Sequence, residues 1–277
     1  MTAPVETDGA AWLVALDIDG TVLHGDGSIS DAVIGQVRRL HAAGHQVMLA
    51  TGHSSAATIP VVEQLGTTPR LLVCSNGAVT LRRDSEASSG YRREWVEVFD
   101  PTDALRSIHA HLGNARFAVE DEHGRYRCTE PFPNTTIGLD SEHEELVEFD
   151  ELLNRPATRV VVISPGHEME DFLAVVEKMG LRRVSYAIGW TAWLDIAADR
   201  VNKATAMERI RFELGIPRER VMVVADGHND IELLRWASES GRGVAKGHAP
   251  AEVIAVANEL TGTVHQNGLA QVLATLC

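Results

Sequence analysis

The segment Trp12–Thr21, with the sequence Trp-Leu-Val-Ala-Leu-Asp-Ile-Asp-Gly-Thr, joins a short apolar run to two carboxylates and a turn. A strand that is covered on both faces reads as continuous apolar sequence, so this run predicts a central strand of a parallel sheet. Asp17 and Asp19 follow at the end of that strand. Because ligands bind beyond the carboxyl ends of the strands in an open parallel sheet, we expect these acids to lie in a crevice.

Two further apolar runs end on polar groups in the same way. Val47–Ala50 is followed by Thr51 and Gly52, and Val221–Ala225 is followed by the acidic segment Asp226–Asp230. Helical patterns lie between the apolar runs, and this alternation predicts an α/β fold with a doubly wound parallel sheet. Such a fold gathers residues that are far apart in the sequence at one edge of the sheet.

The middle of the chain has a different pattern. Residues 81–89 are small and polar, which is typical of a linker, and short strand and helix patterns follow up to about residue 186. We therefore predict that residues 1–81 and 187–277 form the catalytic core. Residues 82–186 are predicted to form an inserted α+β domain.

The composition excludes several classes of protein. The 277 residues are 44% hydrophobic with a net charge of −14, which is ordinary for a globular protein and unfavourable for binding nucleic acid or an anionic membrane. The first apolar run is too short to span a bilayer, and residues 1–10 lack a basic targeting region. The three cysteines form no C-x-x-C pair. We expect a cytoplasmic protein with reduced thiols, monomeric or a small homo-oligomer, that acts on a small molecule.

Asp17 and Asp19 are suited to a reaction at phosphorus. Being two residues apart at a strand end, they point the same way, so one carboxylate can attack phosphorus while the other handles a proton. Gly20 and Thr21 allow a tight turn with backbone N–H groups near a phosphate.

Two residues elsewhere in the sequence can bind the same phosphate. Lys203, near a predicted helix start, offers a fixed positive charge to phosphate oxygens, and Thr51 offers a hydroxyl group. Each of these residues alone is ordinary. Their occurrence together, at the ends of apolar runs, is what indicates catalysis.

A metal ion is expected among the acids. Asp17, Asp19, Asp226 and Asp230 would repel one another in one crevice without a cation. Ligand sets made only of oxygen suit Mg²⁺, which would bridge Asp17 and the substrate phosphate.

The motifs resemble those of the haloacid dehalogenase (HAD) superfamily, and in particular its Cof-type phosphatase branch. The D-x-D-G-T motif is Asp17–Thr21, and Thr51-Gly52, Lys203 and the D-G-x-N-D cluster at Asp226–Asp230 follow in the family's order. Ser75–Ala78 and the tail after Val244 are also similar to that branch. The insert resembles the Cof-type cap domain in position and length only. The resemblance implies a HAD-like Rossmannoid core with an inserted cap.

The resemblance also implies a role for each residue. Asp17 would be the nucleophile and a metal ligand, and Asp19 the acid–base residue with its backbone carbonyl on the metal. Thr51 and Lys203 would hold the phosphoryl group. The remaining positions are Gly20, Thr21 and Gly52 at the phosphate, Asn229 at the phosphate or ordering its loop, Asp226 on the metal and Asp230 assisting it. The implied enzyme is a Mg²⁺-dependent phosphatase that hydrolyses a small phosphorylated metabolite, such as a sugar phosphate, through a phospho-aspartate.

Two departures from the family pattern bear on specificity. His53 stands after Thr51-Gly52, where arginine or serine is common, and Lys246 begins the Lys246-Gly247-His248 stretch where Met-Gly-Asn is frequent. Both leave the identity of the substrate open.

Three other functions compete with a phosphatase. A phosphomutase would return the phosphate to its product. A signalling domain of the receiver type would keep a phospho-aspartate for minutes, although the early D-x-D motif and the large insert argue against it. A silent binding module would hold a phosphorylated ligand without hydrolysing it, and the intact set of acids argues against that.

Overall fold

The structure, a computed structural model, describes residues 11–132, 144–165, 168–179, 184–188 and 193–277. Residues 1–10, on which the expectation about targeting rests, lie outside this described part. No helix within the described residues combines the length and the apolar character needed to cross a bilayer.

A five-stranded parallel sheet forms the centre of the larger domain. Its central strands are buried and apolar because helices cover both faces. In spatial order they are β14 (Glu259–Thr261), β13 (Arg242–Lys246), β12 (Val221–Ala225), β1 (Leu13–Leu16) and β2 (Gln46–Leu49). The predicted central position of β1 is therefore confirmed: Leu16 lies opposite Val224 on one side and Leu49 on the other.

Helices pack against both faces of this sheet. They are α1 (Asp31–Ala42), α2 (Ser55–Leu65), α5 (Lys203–Leu214), α6 (Ile231–Ser238), α7 (Ala251–Ile254) and α8 (Gly268–Leu273). Val14 and Leu16 pack into one hydrophobic cluster, while Leu13 and Ala15 pack into a second cluster. This alternation along a single strand shows the doubly wound arrangement that the sequence predicted. Side-chain oxygens of Ser30 and Asn202 cap α1 and α5 at the expected positions.

A three-stranded antiparallel sheet extends the core where the sequence predicted a linker. It consists of β3 (Leu71–Cys74), β4 (Val79–Arg83) and β5 (Tyr91–Val96), and β3 joins the main sheet through a bridge between Ala50 and Val73. The stretch 81–89, predicted as a linker, lies in the β4–β5 hairpin: residues 81–83 belong to β4 and residues 84–90 form the turn, so it joins two strands of the core. Arg82 is held by ion pairs, 2.8 Å from Glu213 and 2.9 Å from Glu94.

The smaller domain is a six-stranded sheet with two helices. Its strands are β6 (Arg116–Glu120), β7 (Tyr126–Cys128), β8 (Glu144–Leu146), β9 (Arg159–Ile163), β10 (Val184–Ile188) and β11 (Trp193–Ala198), and its helices are α3 (Thr102–His111) and α4 (Met169–Met179). The spatial order is β10-β11-β9-β6-β7-β8. Phe117, Val160 and Leu194 pack in the cluster that also contains Leu105 and Phe172 of the helices.

The sheet pairing bears on where the two domains meet. β5 pairs with β4 of the core, whereas β11 pairs with β9 and β10 of the smaller domain. We propose boundaries near residues 97 and 199, in place of the predicted 82 and 186. β10 lies beside the turn His228–Asp230, so the smaller domain forms a cap over the acidic edge of the core.

Candidate active site

The carboxyl ends of β1, β2 and β12 meet at one edge of the main sheet, as parallel topology requires. Asp17 follows β1, Thr51 follows the end of β2, and Asp226 follows β12. The Asp17 N–H group donates to the carbonyl of Val224 at 3.1 Å, so the backbone position of the predicted nucleophile is fixed by the sheet itself. All three side chains are buried.

Lys203 joins two of the acids from the opposite side. It is the first residue of α5, and its Nζ lies 2.7 Å from Oδ1 of Asp17 and 2.7 Å from Oδ1 of Asp230. Burial alone would lower the pKa of Lys203, but the two carboxylates outweigh burial and raise it. The ammonium group is therefore a permanent positive charge within the site.

The buried carboxylates outnumber this ammonium group. Burial, followed by repulsion from Asp230, raises the pKa of Asp17 well above its usual value despite the opposing charge of Lys203. Burial and the same repulsion raise the pKa of Asp226 to about 6. The three acids thus carry more negative charge than Lys203 offsets, which is the electrostatic setting of a cation site.

Asp226 is held by three neighbours. The hydroxyl of Thr21 donates to Oδ1 at 2.8 Å, and Nε2 of His248 lies 3.2 Å from Oδ2. Gly20 has φ +70°, and a Cβ atom there would lie 2.3 Å from Oδ2 of Asp226, so only glycine fits. Thr21 is fully buried and its hydroxyl group positions the carboxylate of Asp226. The placement of Gly20 and Thr21 at the phosphate stays a prediction.

The segment after β2 presents a hydroxyl group and a close-packed glycine. The His53 N–H group donates to Oγ1 of Thr51 at 3.1 Å, which leaves the Thr51 hydroxyl proton to be donated elsewhere. A Cβ atom on Gly52 would lie 3.2 Å from Oδ1 of Asn76 and 3.4 Å from Nδ2 of Asn229. Nδ2 of Asn229 donates to that same Asn76 oxygen at 3.0 Å.

Asp19 differs from the other acids because its side chain is 65% exposed. Its Oδ2 lies 2.7 Å from Nε2 of His53. Partial burial raises the pKa of Asp19, but the hydrogen bond and charge of His53 outweigh burial and lower it. His53, which departs from the family pattern, therefore acts directly on the predicted acid–base residue.

Lys246 is a second buried amine near Asp226. Its Nζ has no hydrogen-bond partner among the residues that the structure describes. Burial lowers the pKa of Lys246 to about 8, although the charge of Asp226 acts in the opposite direction. The side chain contributes charge without binding a carboxylate.

The donor set fits a magnesium ion of low protein coordination. No three His, Cys, Asp or Glu side chains in the described part of the chain lie close enough together to bind one ion. Asp230 is engaged at both oxygens, by Lys203 and by the Gly227 N–H group at 3.0 Å. Asp226 is also contacted at both oxygens, but by a hydroxyl group and an imidazole and not by the ammonium group of Lys203. The candidate donors are the carboxylates of Asp17 and Asp226 and the backbone carbonyl of Asp19. Since Mg²⁺ is commonly bound through one or two carboxylates and keeps several waters, this set is sufficient.

Sequence reasoning missed two residues of this edge. His248 follows β13, so the rule that selected Asp17 and Asp226 would have selected it too. Asn76 was noted only within Ser75–Ala78, a stretch similar to the Cof-type branch, and no role was given to its side chain, which lies against Gly52 and Asn229. A turn residue carries no sign in the sequence of what its side chain will contact.

Comparison with known proteins places this geometry in a family. Residues 14–273 match the family described as haloacid dehalogenase-like hydrolase. The chain is 26% identical to the 5-amino-6-(5-phospho-D-ribitylamino)uracil phosphatase YitU of Bacillus subtilis, over 95% of this chain and 96% of the relative. It is 26% identical to an HMP-PP phosphatase of Yersinia pseudotuberculosis, over 94% of this chain and 93% of the relative.

A solved structure shows the same fold. The structure of a HAD subclass IIB sugar phosphatase superposes with a TM-score of 0.78 and 19% identity, covering 96% of this chain and 98% of that one. These findings confirm the fold class and the phosphatase class that the motifs predicted. The chain belongs to the haloacid dehalogenase-like hydrolases.

Proposed function

We propose that this enzyme hydrolyses the phosphomonoester of a small metabolite in two half-reactions, through a phospho-aspartate on Asp17. One observation carries the proposal: the buried carboxylate of Asp17 lies at the crowded acidic edge of the sheet, 2.7 Å from the ammonium group of Lys203. That arrangement combines a nucleophile with a fixed positive charge.

In the first half-reaction a carboxylate oxygen of Asp17 attacks phosphorus in line with the leaving oxygen. The P–O bond to the metabolite breaks as the new bond forms, and Asp19 donates a proton to the leaving oxygen. Asp19 is bonded to His53 at 2.7 Å, so this donation requires His53 to release it or to pass a proton to it.

The phosphoryl oxygens are held by groups that are already fixed before the substrate arrives. Lys203 offers its ammonium group and Thr51 its hydroxyl proton, while Gly52 has no side chain to block the approach. Donors that do not have to reorganise stabilise developing charge at little cost.

Mg²⁺ would be held by the carboxylates of Asp17 and Asp226 and by the backbone carbonyl of Asp19. Asp230 would not touch the ion but would assist the site by accepting hydrogen bonds from Lys203 and from the Gly227 N–H group. When bound, the ion supplies the positive charge that the three buried carboxylates and the phosphate require.

In the second half-reaction a water molecule attacks phosphorus in the phospho-aspartate. Asp19, now deprotonated, accepts the proton of that water as a base. Phosphate leaves and the Asp17 carboxylate is restored. The cap lies over this edge, and its closure excludes other water during the transfer.

The substrate class follows from the relatives and from the cap. The relatives' names give a phosphorylated ribitylaminouracil and HMP-PP as substrates, and the solved neighbour is named a sugar phosphatase. For this chain we propose a phosphorylated metabolite of similar size, such as a sugar phosphate, because the cap covers the site and limits the size of the substrate.

A screen of phosphorylated metabolites with Mg²⁺, read as released phosphate, tests the proposal. The wild type is expected to turn over at least one sugar phosphate or phosphorylated cofactor. Asp17→Asn is expected to abolish turnover while the fold survives, since unassisted monoester hydrolysis is extremely slow. Asp103→Asn, an exposed aspartate in the cap, is the matched control and should retain full activity. A folded Asp17→Asn protein with most of its activity would refute the assignment.

A further inference from the structure

The turn between β3 and β4 has an unusual backbone. Ser75 and Asn76 have φ of 48° and 51°, and Gly77 follows with φ 100°. The left-handed region is unfavourable for residues with a Cβ atom, so two in succession require support from their surroundings. Such strain is often kept where it positions functional groups.

The backbone of this turn holds the phosphate-binding segment. The Asn76 N–H group donates to the Thr51 carbonyl at 3.0 Å, and the Ser75 N–H group donates to the His53 carbonyl at 2.8 Å. Thr51 itself donates its N–H group to Val73 at 3.0 Å. The position of the Thr51–His53 segment therefore depends on where Ser75 and Asn76 lie.

The side chains of the same two residues cross to the cap. Oγ of Ser75 donates to Oε2 of Glu120 at 3.0 Å, and Nδ2 of Asn76 donates to Oδ2 of Asp195 at 2.9 Å. Glu120 ends β6 and Asp195 lies in β11, and both are buried. Each donor thus meets a carboxylate that belongs to the other domain.

Donors other than Ser75 and Asn76 also hold both cap carboxylates. Arg159 donates to Asp195 through Nε at 2.8 Å and Nη2 at 2.6 Å. Tyr126 of the cap donates its hydroxyl group to Glu120 at 3.0 Å, and Arg93 of the core strand β5 donates to the same carboxylate at 2.9 Å. Buried carboxylates with several fixed donors have little freedom to follow a partner that moves. The cap therefore presents two fixed acceptors to the turn.

Asn76 reaches three parts of the site at once. Its amide nitrogen binds Asp195 of the cap, and its amide oxygen accepts from Asn229 of the acidic loop. The same oxygen would lie 3.2 Å from a Cβ atom at Gly52. A movement of the cap that breaks the bond to Asp195 would therefore release a side chain that packs on the phosphate-binding glycine.

We propose that Ser75 and Asn76 are positioning residues that couple the seating of the cap to the geometry of the phosphate-binding segment. When the cap is seated, its carboxylates hold the side chains of Ser75 and Asn76, and these two residues in turn hold Thr51, Gly52 and Asn229. When the cap lifts, all of these contacts loosen together. The coupling rests on the proposed function for its catalytic consequence, but the coupling itself is a property of the contacts.

An exchange of hydrogen-bond polarity tests this coupling. Asn76→Asp places a carboxylate opposite Asp195, and the double variant Asn76→Asp/Asp195→Asn restores a donor and an acceptor with the same total charge. Asn267→Asp is the control: Asn267 is a partly buried core asparagine whose backbone is also left-handed, with φ 54°. p-Nitrophenyl phosphate serves as the substrate probe, and hydrogen–deuterium exchange is followed in peptides containing Ser75–Gly77 and Asp195.

Asn76→Asp is expected to speed exchange in both peptides and to lower kcat/KM by about tenfold or more, as for other coupled polar pairs. The double variant is expected to recover most of both losses, while the control changes neither. Additive losses in the double variant would overturn the proposal, because they would show that the new carboxylate acts only by repelling phosphate. Unchanged exchange in Asn76→Asp would overturn it as well.

A milder variant covers the case in which Asn76→Asp does not fold. Ser75→Ala removes only the bond to Glu120, and it is expected to speed exchange in the same peptides at an unchanged thermal midpoint. Unchanged exchange in Ser75→Ala would then refute the coupling. A wild-type protein without phosphatase activity would refute the proposed function alone, since the exchange measurements need no turnover.

Discussion

Two buried acidic clusters in this protein are built in opposite ways. Two carboxylates of the cap, Glu120 and Asp195, face two guanidinium groups, those of Arg93 in the core strand β5 and of Arg159 in the cap. At the edge of the core, Asp17 and Asp230 share the ammonium group of Lys203, while Asp226 is contacted by Thr21 and His248. Buried charge is expensive unless it is paired, so the two clusters are under different constraints.

The difference separates a structural cluster from a chemical one. The carboxylates of the cap cluster are matched one to one by guanidinium groups, which suits residues that hold a neighbouring turn in place. The core cluster places three carboxylates near one bonded ammonium group, and burial, followed by repulsion from Asp230, raises the pKa of Asp17 and of Asp226. Perturbed acids of this kind occur where a site is completed by a ligand, here a cation and a phosphoryl group.

The largest expected effect on turnover and stability comes from removing positive charge from the core cluster. Lys203→Met removes the only ammonium group that is bonded to Asp17 and Asp230. We expect turnover to be lost and the free energy of unfolding to fall by about 3–5 kcal/mol, the usual cost of breaking a buried ion pair. Urea unfolding with and without chelator measures the change. Retained turnover in Lys203→Met would contradict the account.

The cap cluster should respond to imbalance through stability rather than chemistry. Arg159→Met leaves Asp195 buried without its bidentate partner, so we expect a loss of about 3 kcal/mol in unfolding free energy. Arg200→Met is the control, because Arg200 is exposed and its Nε lies 3.8 Å from Asp199. This variant should change the unfolding free energy by less than about 0.5 kcal/mol. An unaffected stability in Arg159→Met would show that the cap charges are not tightly coupled.

Metal binding, which adds positive charge to the core cluster, should have a smaller effect on the unfolding free energy. We expect Mg²⁺ at 100 times its Kd to stabilise the wild type by about 2.7 kcal/mol and to have little effect on Asp226→Asn. Because the pKa of Asp226 is about 6, lowering the pH through 6 protonates this ligand and should weaken binding, and raising the pH to 7 should restore it. Thermal unfolding at several pH values measures this. Stabilisation that is independent of pH between 5 and 7 would argue against Asp226 as a ligand.

The core site could be predicted from the sequence because one rule governs it. Asp17, Thr51 and Asp226 each follow an apolar strand, and parallel strands deliver their carboxyl ends to one edge. The rule gives the neighbourhood of a side chain, though not its contacts. The hydroxyl group of Thr21 binds Asp226 and the carboxylate of Asp19 contacts His53, and neither side-chain contact follows from a position at the end of a strand.

The cap cluster could not be predicted because its residues lie within ordinary strands. Glu120, Arg159 and Asp195 come from three adjacent strands, β6, β9 and β11, which are far apart in the sequence. No turn or motif marks them, and an acid in a short strand reads as an exposed residue. The linker prediction at residues 81–89 has a related cause. Arg82 looked like part of a polar linker because its partner Glu213 lies 131 positions away in the chain.

The most direct test of the account is to locate the phosphate on the protein during turnover. A ³²P-labelled substrate would be mixed with enzyme and Mg²⁺, quenched in acid within milliseconds, and the labelled peptide sequenced. The account predicts acid-stable, hydroxylamine-sensitive label on Asp17, absent from Asp17→Asn. Label on another residue, or phosphate release with no labelled protein at any time, would contradict it.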